Sequence, residues 1–442
     1  MTVKNKKVMV VGLGKSGMAA FELLEKMQAN VCLYDGREDL DTSEYKVPVY
    51  LGDIPEHIID TLSLAVFSPG VPLDIPPAEK LKQHQIPIIG EIELAFLNEK
   101  GTVAAITGTN GKTTTTTLAG EIMKAYREQT FVVGNIGSPY TKEVEQTTES
   151  SFTVAEISSF QLETIDTFRP KVSAILNITP DHLNRHKTME CYIDTKFRIA
   201  ENQTKDDLCV LNYEDEVLRE RAAELSCAVE FFSSRQKIAN GLYQNENHDI
   251  VDGMTGEVLM NMSESNISGD HNCENIMAAI LITRKLGAPM DLIIEVVKNF
   301  RAVEHRLEFV KSVAGVDYYN DSKGTNPDAA IKAIQSMTCP TILIGGGYDK
   351  DSQFDDWIAH FDGKVKSLIL LGETAEKIAR AADHQGFHAY EFTDSLQGAV
   401  TRAAELAEAG DAVLLSPACA SWDMFDSYEQ RGNMFKDYVH RL

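Results

Sequence analysis

Short runs of branched apolar residues recur along the chain and alternate with longer segments that have helical periodicity. Most of these runs are nearly continuous Val, Ile and Leu, which is typical of strands buried on both faces of a parallel sheet. We therefore predict strands at Val8–Val11, Val31–Tyr34, Leu64–Phe67, Val103–Ile106, Phe131–Val133, Thr153–Ile157, Val172–Ile178, Leu208–Leu211, Thr341–Ile344, Leu368–Leu371 and Ala412–Leu415. Because parallel strands are joined by helical crossovers, the alternation predicts an α/β fold with doubly wound sheets.

The strand patterns restart at two points, which divides the 442 residues into three predicted domains. A new strand–loop–helix pattern begins at Val103, and a third set of strands begins near Val316, after a polar segment. We place the domains at residues 1–93, 94–299 and 300–442. Each is predicted to have a mostly parallel sheet: a Rossmann-like N-terminal domain, a P-loop-type central ATPase domain and a Rossmann-like C-terminal domain.

Composition narrows the class of protein. No apolar run reaches the roughly 18 residues of a membrane span, and no signal-peptide pattern is found, so we expect a cytoplasmic protein. The seven cysteines are widely spaced without a Cys-x-x-Cys pair, which fits a reducing compartment and argues against disulfides or a zinc cluster. The net charge of −24 argues against a nucleic-acid partner, although backbone amides and a few lysines can still bind a small anion.

A first glycine-rich loop occupies residues 12–17, which read Gly-Leu-Gly-Lys-Ser-Gly between a predicted strand and a helix. Asp35 ends the next predicted strand, so the pattern matches a dinucleotide-binding fingerprint. The glycines would let backbone N–H groups approach a diphosphate, and Asp35 would accept a hydrogen bond from a ribose. The alternative is a turn that only allows close packing of helix and strand.

A second loop, residues 108–113, reads Gly-Thr-Asn-Gly-Lys-Thr and also lies between a predicted strand and a helix. The usual P-loop has a glycine five positions before Gly111, where this chain has Ile106. The physical parts are nevertheless present: an amide nest for phosphate, the Lys112 charge, and the Thr113 hydroxyl for Mg²⁺. The alternative is a Gly-Lys turn capped by threonines.

Two more predicted strands end in groups that suit a divalent metal. Glu156 ends one strand and Asp181-His182 follows another, and a buried acid is costly unless it meets a metal or a cation. Because the carboxyl ends of parallel strands meet in one crevice, we expect Thr113, Glu156 and His182 to share a metal. Taken singly, each has an ordinary alternative, such as a salt-bridged acid or a capping histidine.

The third predicted domain also carries polar and cationic groups, several of them at the ends of its strands. They are His305, Arg306, Asp321, Ser322, Lys323, Thr325, Lys350, Ser416, Ser421, Tyr428 and Arg431. The alternative for the lysines is a solvated surface. No Ser–His–acid order and no Gly-x-Ser-x-Gly elbow is present, so a covalent acyl-enzyme is not indicated.

Six motifs occur in order along the whole chain and together resemble the Mur ligase family. They are GTNGKTT from 108, EISSFQLE from 156, NITPDHL from 177, EHRLE from 304, NDSKGTN from 320 and SPACAS from 416. The resemblance implies amide-bond formation that depends on ATP and two Mg²⁺ ions, through an acyl phosphate, in three domains. The segment after Ser416 and the Ser68-Pro-Gly-Val stretch imply that UDP-N-acetylmuramoyl-L-alanine and D-glutamate are the substrates.

The resemblance also implies roles for individual residues. ATP would contact Gly108, Thr109, Asn110, Gly111, Lys112, Thr113, Thr114, Asn272, Asn275, Arg306 and Asp321. The metals would use Thr113, Glu156, His182 and Lys196. The uridine nucleotide and muramoyl groups would contact Gly14, Lys15, Ser16, Asp35, Arg37, Ser68, Pro69, Gly70, Asn135, Ser158 and His182. D-Glutamate would contact Lys323, Thr325, Lys350, Ser421 and Tyr428. Catalysis would rest on Lys112, Glu156, His182, Lys196 and Lys323.

Tyr428 and Lys196 are unusual among these residues. Tyr428 stands where the D-glutamate-adding members of the family carry Phe, which keeps the ring and adds a hydroxyl. A lysine at 196 adds positive charge beside metals, and the resemblance implies that CO₂ converts its amine to a carbamate. Only about one part in 2,500 of an unperturbed lysine is neutral at pH 7, and nearby metals would depress the pKa and stabilise the product.

We expect the chain to be a monomer. Three other functions are also compatible with the sequence. Another member of the same family would add L-alanine or a diamino acid instead. A redox enzyme would bind NAD at the first loop, although residues 1–93 are too short for both halves of a dehydrogenase domain. A regulatory ATP-binding scaffold would carry out no chemistry.

Overall fold

The computed structural model describes residues 2–267, 269–301 and 304–442, and the backbone forms three β-sheets. By compactness the chain divides into two units. One contains residues 1–178 and 188–300, and the other contains residues 179–187 and 301–442. The first two sheets belong to the first unit and the third sheet belongs to the second unit.

The first sheet has five parallel strands in the order β3-β2-β1-β4-β5. Its strands are β1 (Lys7–Val11), β2 (Asn30–Asp35), β3 (Val49–Leu51), β4 (Leu64–Phe67) and β5 (Ile88–Gly90). The helices of this region are α1 (Lys15–Lys26), α2 (Glu56–Ile59), α3 (Pro76–Gln83) and α4 (Glu91–Phe96). The strand order reverses beside β1, and such a switch point creates the crevice in which open α/β sheets bind ligands.

The second sheet has nine strands in the order β14-β13-β12-β11-β10-β9-β6-β8-β7. Its strands are β6 (Thr102–Thr107), β7 (Thr130–Gly134), β8 (Phe152–Glu156), β9 (Val172–Ile175), β10 (Leu208–Asn212), β11 (Ala228–Ser233), β12 (Gly241–Gln244), β13 (Asp249–Asp252) and β14 (Val258–Asn261). The strands from β12 to β7 are parallel, and β13 and β14 extend one edge as antiparallel strands.

The helices between residues 112 and 299 lie in the crossovers of this sheet or follow it, apart from one short helix that belongs to the second unit. They are α5 (Lys112–Tyr126), α6 (Tyr140–Glu143), α7 (Ser159–Leu162), α8 (Leu183–His186), α9 (Met189–Phe197), α10 (Glu216–Arg221), α11 (Asp270–Lys285) and α12 (Met290–Asn299). Short 3₁₀ turns occupy Val144–Gln146, Arg198–Ala200, Ala222–Glu224 and Met262–Glu264. The short helix is α8, which lies within residues 179–187.

The third sheet has six strands in the order β15-β16-β20-β17-β18-β19, of which only the β15–β16 pair is antiparallel. Its strands are β15 (Glu308–Val313), β16 (Val316–Asn320), β17 (Thr341–Gly345), β18 (Val365–Leu370), β19 (Tyr390–Phe392) and β20 (Ala412–Leu415). Its helices are α13 (Pro327–Ser336), α14 (Asp355–Ala359), α15 (Ala375–His384), α16 (Leu396–Leu406) and α17 (Tyr428–His440). Apolar clusters cover both faces of the sheet, as expected for buried parallel strands.

Helix α4 ties the first sheet to the second through two buried carboxylates. Glu91 Oε1 accepts hydrogen bonds from the backbone N–H of Thr141 at 2.6 Å and from its hydroxyl at 2.7 Å. Glu93 accepts from the backbone N–H groups of residues 166, 167 and 168 and from the Thr167 hydroxyl. Burial raises the pKa of Glu91. The predicted boundary after residue 93 falls inside this helix and stays a prediction.

The predicted fold class is confirmed: three α/β domains are each built on a mostly parallel sheet. Every predicted strand is present, but the run from Val172 was expected to continue to Ile178 and β9 ends at Ile175. The third sheet begins with β15, before the expected start near Val316. The strands β12 to β14 were not predicted, because each has only four residues and includes glycine or polar residues instead of a continuous apolar run.

Two sequence expectations concern the whole chain. All seven cysteines are free thiols in the structure. Across residues 2–267, 269–301 and 304–442, none of the helices combines the length and the apolar character that crossing a bilayer requires.

Candidate functional site

The loop after β6 has the backbone of an anion-binding turn. Gly108 and Gly111 have φ angles of +146° and +83°, which L-amino acids with side chains rarely adopt, and α5 begins directly afterwards at Lys112. A Cβ atom on Gly111 would lie 2.3 Å from Oδ1 of Asn275. The glycine at 108 supplies the conformational freedom that is absent at Ile106, which explains how the loop departs from the usual spacing and still turns.

Asn177, which follows β9, fixes this loop from the neighbouring strand. Its side-chain oxygen accepts from the Asn110 N–H at 2.8 Å, and its amide donates to the Asn110 carbonyl at 3.1 Å. Its own carbonyl accepts from the Thr109 N–H at 2.9 Å. Asn177 lies in a quoted motif but was not assigned a role. In the sequence, Asn177 was marked only by that motif and by its place near the end of the predicted strand Val172–Ile178.

Two lysines converge on a single carbonyl of the loop. The Lys112 ammonium donates to the carbonyls of Gly108 and Thr109 at 2.9 and 2.8 Å. The Lys196 ammonium, on α9, donates to the same Gly108 carbonyl at 2.8 Å, and it lies 4.7 Å from the ring centre of Tyr192. Lys196 is only 1% exposed, so it is not a lysine of the solvated surface.

The carboxylate of Glu156, at the end of β8, meets two of the other predicted residues. Its Oε2 accepts from the Thr113 hydroxyl at 2.8 Å, and its Oε1 accepts from the Asn135 amide at 2.8 Å. Glu156 is 1% exposed. The structure therefore brings together a carboxylate and a hydroxyl at the phosphate loop, and oxygen donors of this kind suit Mg²⁺.

The other predicted metal ligand, His182, belongs to the second unit, in residues 179–187. It has a φ angle of +53°, and its backbone N–H donates to Asp181 Oδ1 at 2.9 Å. Within the described ranges, no group of three or more His, Cys, Asp or Glu side chains has the arrangement of a metal site. The predicted set contains only Glu156 and His182 of those types, so this finding neither supports nor contradicts it.

The residues expected near adenine lie beside the phosphate loop. Asn275 on α11 accepts from the Thr115 hydroxyl at 3.2 Å and donates to Asn272 Oδ1 at 3.4 Å. Helix α11 packs against α5, which places both asparagines next to the loop. Thr114 is buried, and its hydroxyl has no hydrogen-bond partner in the described part of the chain.

The first glycine loop is organised by Asp35. This carboxylate accepts from the Leu13 N–H at 3.0 Å and from the Arg37 guanidinium at 2.9 and 3.1 Å. The Arg37 hydrogen bond and charge lower the pKa of Asp35 to about 2. Arg37 itself is 60% exposed, so Asp35 orders the loop and holds a cation at its rim, with Gly14 and Lys15 exposed beside it.

Ser68, which follows β4, joins the same loop. Its hydroxyl donates to the Gly12 carbonyl at 2.7 Å. Pro69 is half-buried and Gly70 is exposed directly after it, while Ser16 is half-buried in the first turn of α1. The structure therefore brings together the two segments that were separately predicted to bind the uridine nucleotide. By contrast, the Ser158 hydroxyl serves as the N-cap of α7 through Gln161.

In the second unit, Asp321 follows β16 and is 5% exposed. It accepts from the Ser416 hydroxyl at 2.7 Å and from the Leu307 N–H at 3.3 Å. Burial raises the pKa of Asp321 to about 6, although the nearby Arg306 charge opposes the rise. Arg306 Nε is buried without a hydrogen-bond partner among the described residues, and the residues on either side of it have positive φ angles.

The residues expected around D-glutamate form two groups. In one, the Lys323 ammonium lies 3.2 Å from the Tyr428 hydroxyl and 5.0 Å from the centre of the Tyr428 ring. The hydroxyl, which a Phe at this position would lack, therefore has a hydrogen-bond partner. Thr325 is half-buried beside them, its N–H donating to the Lys323 carbonyl, and Ser421 is buried. In the other group, Lys350 pairs with Asp181 at 2.8 Å.

Arg431 on α17 is a structural element of the site that sequence reasoning named but did not use. It is 2% exposed and donates to the hydroxyl and carbonyl of Ser322 and to the carbonyls of Cys419 and Ala420. These bonds connect the segments that carry Lys323 and Ser421. Burial lowers the pKa of Arg431 to about 10, so it remains a cation at neutral pH.

Three protein-family models match the chain in order. They are the Mur ligase MurD-like N-terminal domain over residues 6–90, the Mur ligase middle domain over 106–283, and the Mur ligase glutamate ligase domain over 305–419. UDP-N-acetylmuramoylalanine–D-glutamate ligases from Lachnospira eligens and Clostridioides difficile are 55% and 48% identical to this chain, with full coverage of both sequences.

Solved structures agree at the level of the fold. The UDP-N-acetylmuramate–alanine ligase of Thermotoga maritima has a TM-score of 0.63 at 17% identity, covering 98% of this chain and 99% of that one. The pseudomurein peptide ligase type C of Methanothermus fervidus has a TM-score of 0.62 at 17% identity, covering 99% and 100%. At such identity the likeness shows a shared architecture.

Proposed function

We propose that this chain, which belongs to the Mur ligase family, joins D-glutamate to UDP-N-acetylmuramoyl-L-alanine. The reaction would hydrolyse ATP to ADP and phosphate and would be a step of peptidoglycan synthesis. The observation that carries the proposal is the end-to-end similarity to ligases of that name at about half of all positions. A cytoplasmic location, which free thiols fit, accompanies it as a prediction, and so does a monomeric state.

The reaction has two steps. The carboxylate of UDP-N-acetylmuramoyl-L-alanine attacks the γ-phosphorus of ATP, which forms an acyl phosphate and releases ADP. The amine of D-glutamate then attacks the acyl carbon, the C–N bond forms, and inorganic phosphate leaves as the amine loses a proton. Phosphoryl transfer of this kind is promoted mainly by positioning and by neutralising charge.

The phosphate loop supplies those two effects. The Lys112 ammonium donates hydrogen bonds to the carbonyls of Gly108 and Thr109. Bound phosphates would offer it charged acceptors, which make stronger hydrogen bonds than a neutral carbonyl does. We infer that Lys112 swings from its own loop onto the β- and γ-phosphates, with the adenosine near Asn272 and Asn275.

Thr113 and Glu156 would hold Mg²⁺, since a hydroxyl and a carboxylate already lie together at the loop. When bound, the metal would neutralise charge on the phosphate oxygens. Asn135 orients the Glu156 carboxylate through its other oxygen, and it would also contact the muramoyl group. Two ions, with His182 as a ligand of the second, remain part of the proposal.

The surroundings of Lys196 support its conversion to a carbamate. Its ammonium is buried and shares the Gly108 carbonyl with Lys112, so the group that would react with CO₂ already lies at the phosphate-binding loop. The amine nitrogen would add to the carbon of CO₂ and lose a proton, which replaces a charge of +1 by −1. The carbamate oxygens would then supply further metal ligands.

The decisive experiment measures phosphate release with ATP, Mg²⁺ and UDP-N-acetylmuramoyl-L-alanine while the amino acid is varied. We expect release with D-glutamate and little with L-alanine, D-alanine or a diamino acid. Release with one of the others would assign the chain to another reaction of the same family. No release with any of them would overturn the proposal.

A further inference from the structure

The Lys350 ammonium, which the family resemblance leads us to expect at D-glutamate, is paired with a carboxylate of the chain itself. Asp181 Oδ1 lies 2.8 Å from Lys350 Nζ, and the two side chains are 9% and 4% exposed. Both residues belong to the same compact unit. In the part of the chain that the structure describes, the Lys350 side chain has no other hydrogen-bond or ion-pair partner.

Asp181 is itself held from two sides. Its Oδ2 accepts from the Asn326 amide at 3.1 Å, and its Oδ1 accepts from the His182 N–H at 2.9 Å. Asn326 is fixed in turn, because its side-chain oxygen is the N-cap of α13. The Asp181 carboxylate is therefore placed on Lys350 by a built arrangement, and not by chance contact of two flexible surface chains.

We propose that Asp181 is a specificity-determining residue whose carboxylate occupies Lys350 until a carboxylate of D-glutamate replaces it. The inference rests on the proposed function and on the role that the family resemblance implies for Lys350, which is to contact the amino acid. In this description the binding of D-glutamate exchanges one anion for another on a buried cation. Lys350 is paired before and after the exchange.

This exchange has two physical consequences. A buried ammonium without a partner is strongly unfavourable, and the internal carboxylate supplies that partner when D-glutamate is not bound. D-Glutamate therefore gains only the difference between its own contact and that of Asp181. A ligand without a suitable carboxylate leaves the Asp181–Lys350 pair closed and is rejected, because it has nothing with which to displace the internal anion.

Asp181→Asn tests the exchange, since it removes the charge but keeps the shape and an acceptor for the His182 N–H. We expect the Kd for D-glutamate, measured by calorimetry with UDP-N-acetylmuramoyl-L-alanine and a non-hydrolysable ATP analogue, to fall by ~10-fold or more. In a Lys350→Met background the same substitution should change that Kd little. Damage to the fold would weaken binding, so a tighter complex has no such explanation.

Asn326→Ser provides a second variant, because serine is an equally good N-cap but is too short to replace the amide on Asp181. It should lower the Kd in the same direction by a smaller factor. An unchanged or higher Kd in both variants overturns the exchange. Wild-type protein that releases no phosphate with D-glutamate would instead overturn the proposed function, so the two failures are distinguishable.

Discussion

Replacing Asp321 with asparagine should flatten the pH dependence of stability in the C-terminal unit. This carboxyl is 5% exposed, and burial raises its pKa to about 6 from an ordinary value of 3.8. Between these two values the folded chain binds more protons than the unfolded chain. The free energy of unfolding therefore falls as pH rises through this window, and Asp321→Asn removes the fall.

The size of the effect follows from the two pKa values. The shift corresponds to about 3 kcal/mol when the group is fully ionised, and about half of this appears between pH 5 and pH 8. The wild-type protein should thus lose about 1–2 kcal/mol more than Asp321→Asn over that range. Other titrating groups are common to both proteins and cancel in the comparison.

The assay can be confined to the unit that contains Asp321. The chain has two tryptophans, Trp357 and Trp422, and both lie within residues 301–442. Urea unfolding followed by tryptophan fluorescence at several pH values therefore reports on this unit. Asp394→Asn, at an exposed position of the same unit, is the matched control and should follow the wild type. Parallel curves for wild type and Asp321→Asn would refute the assignment of the pH dependence to this carboxyl.

The remaining predictions concern the two lysines on the Gly108 carbonyl. Lys112→Ala should reduce phosphate release at least ~10²-fold with the fold intact, since it removes a charge from the phosphoryl group in the transition state. Near-normal turnover would contradict its role. Lys196→Ala should be almost inactive and partly restored by acetate or formate, which can supply the missing oxygens. Lys196→Arg should not be restored, because a fixed cation fills the space, and full activity of either variant would remove Lys196 from the site.

The parts of the site that sequence reasoning predicted are local ones. The loop at 108–113 is specified by residues close together in the chain, with glycines where φ is positive and a strand and helix on either side. The same holds for residues 12–17, where Gly17 lies so close to the strand that a Cβ atom would come within 1.9 Å of the Gly12 carbonyl. Such constraints leave a direct trace in composition and spacing.

The contacts that sequence reasoning missed join distant segments. Nothing in the spacing of Asp181 and Lys350 shows that they pair, since 169 positions separate them. The resemblance implied only that Lys350 would contact D-glutamate, and the structure shows that Asp181 of the same chain is its counterion. Asp35 was likewise expected to face a ribose, and its carboxylate is found ordering the glycine loop through the Leu13 N–H and Arg37. Its role toward the ligand remains a prediction.

The two carboxylates of α4 bear on how modules of this kind can be recombined. Glu91 and Glu93 together accept six hydrogen bonds from residues that lie beyond the first sheet, in Thr141 and the 166–168 turn. A chimaera that took its first sheet from one homologue and the rest from another would have to match both sets of residues. Otherwise it would bury an acid without donors, at about 1–3 kcal/mol for each unsatisfied group. Viable crossover points should therefore lie outside this junction, where a cut separates neither carboxylate from its donors.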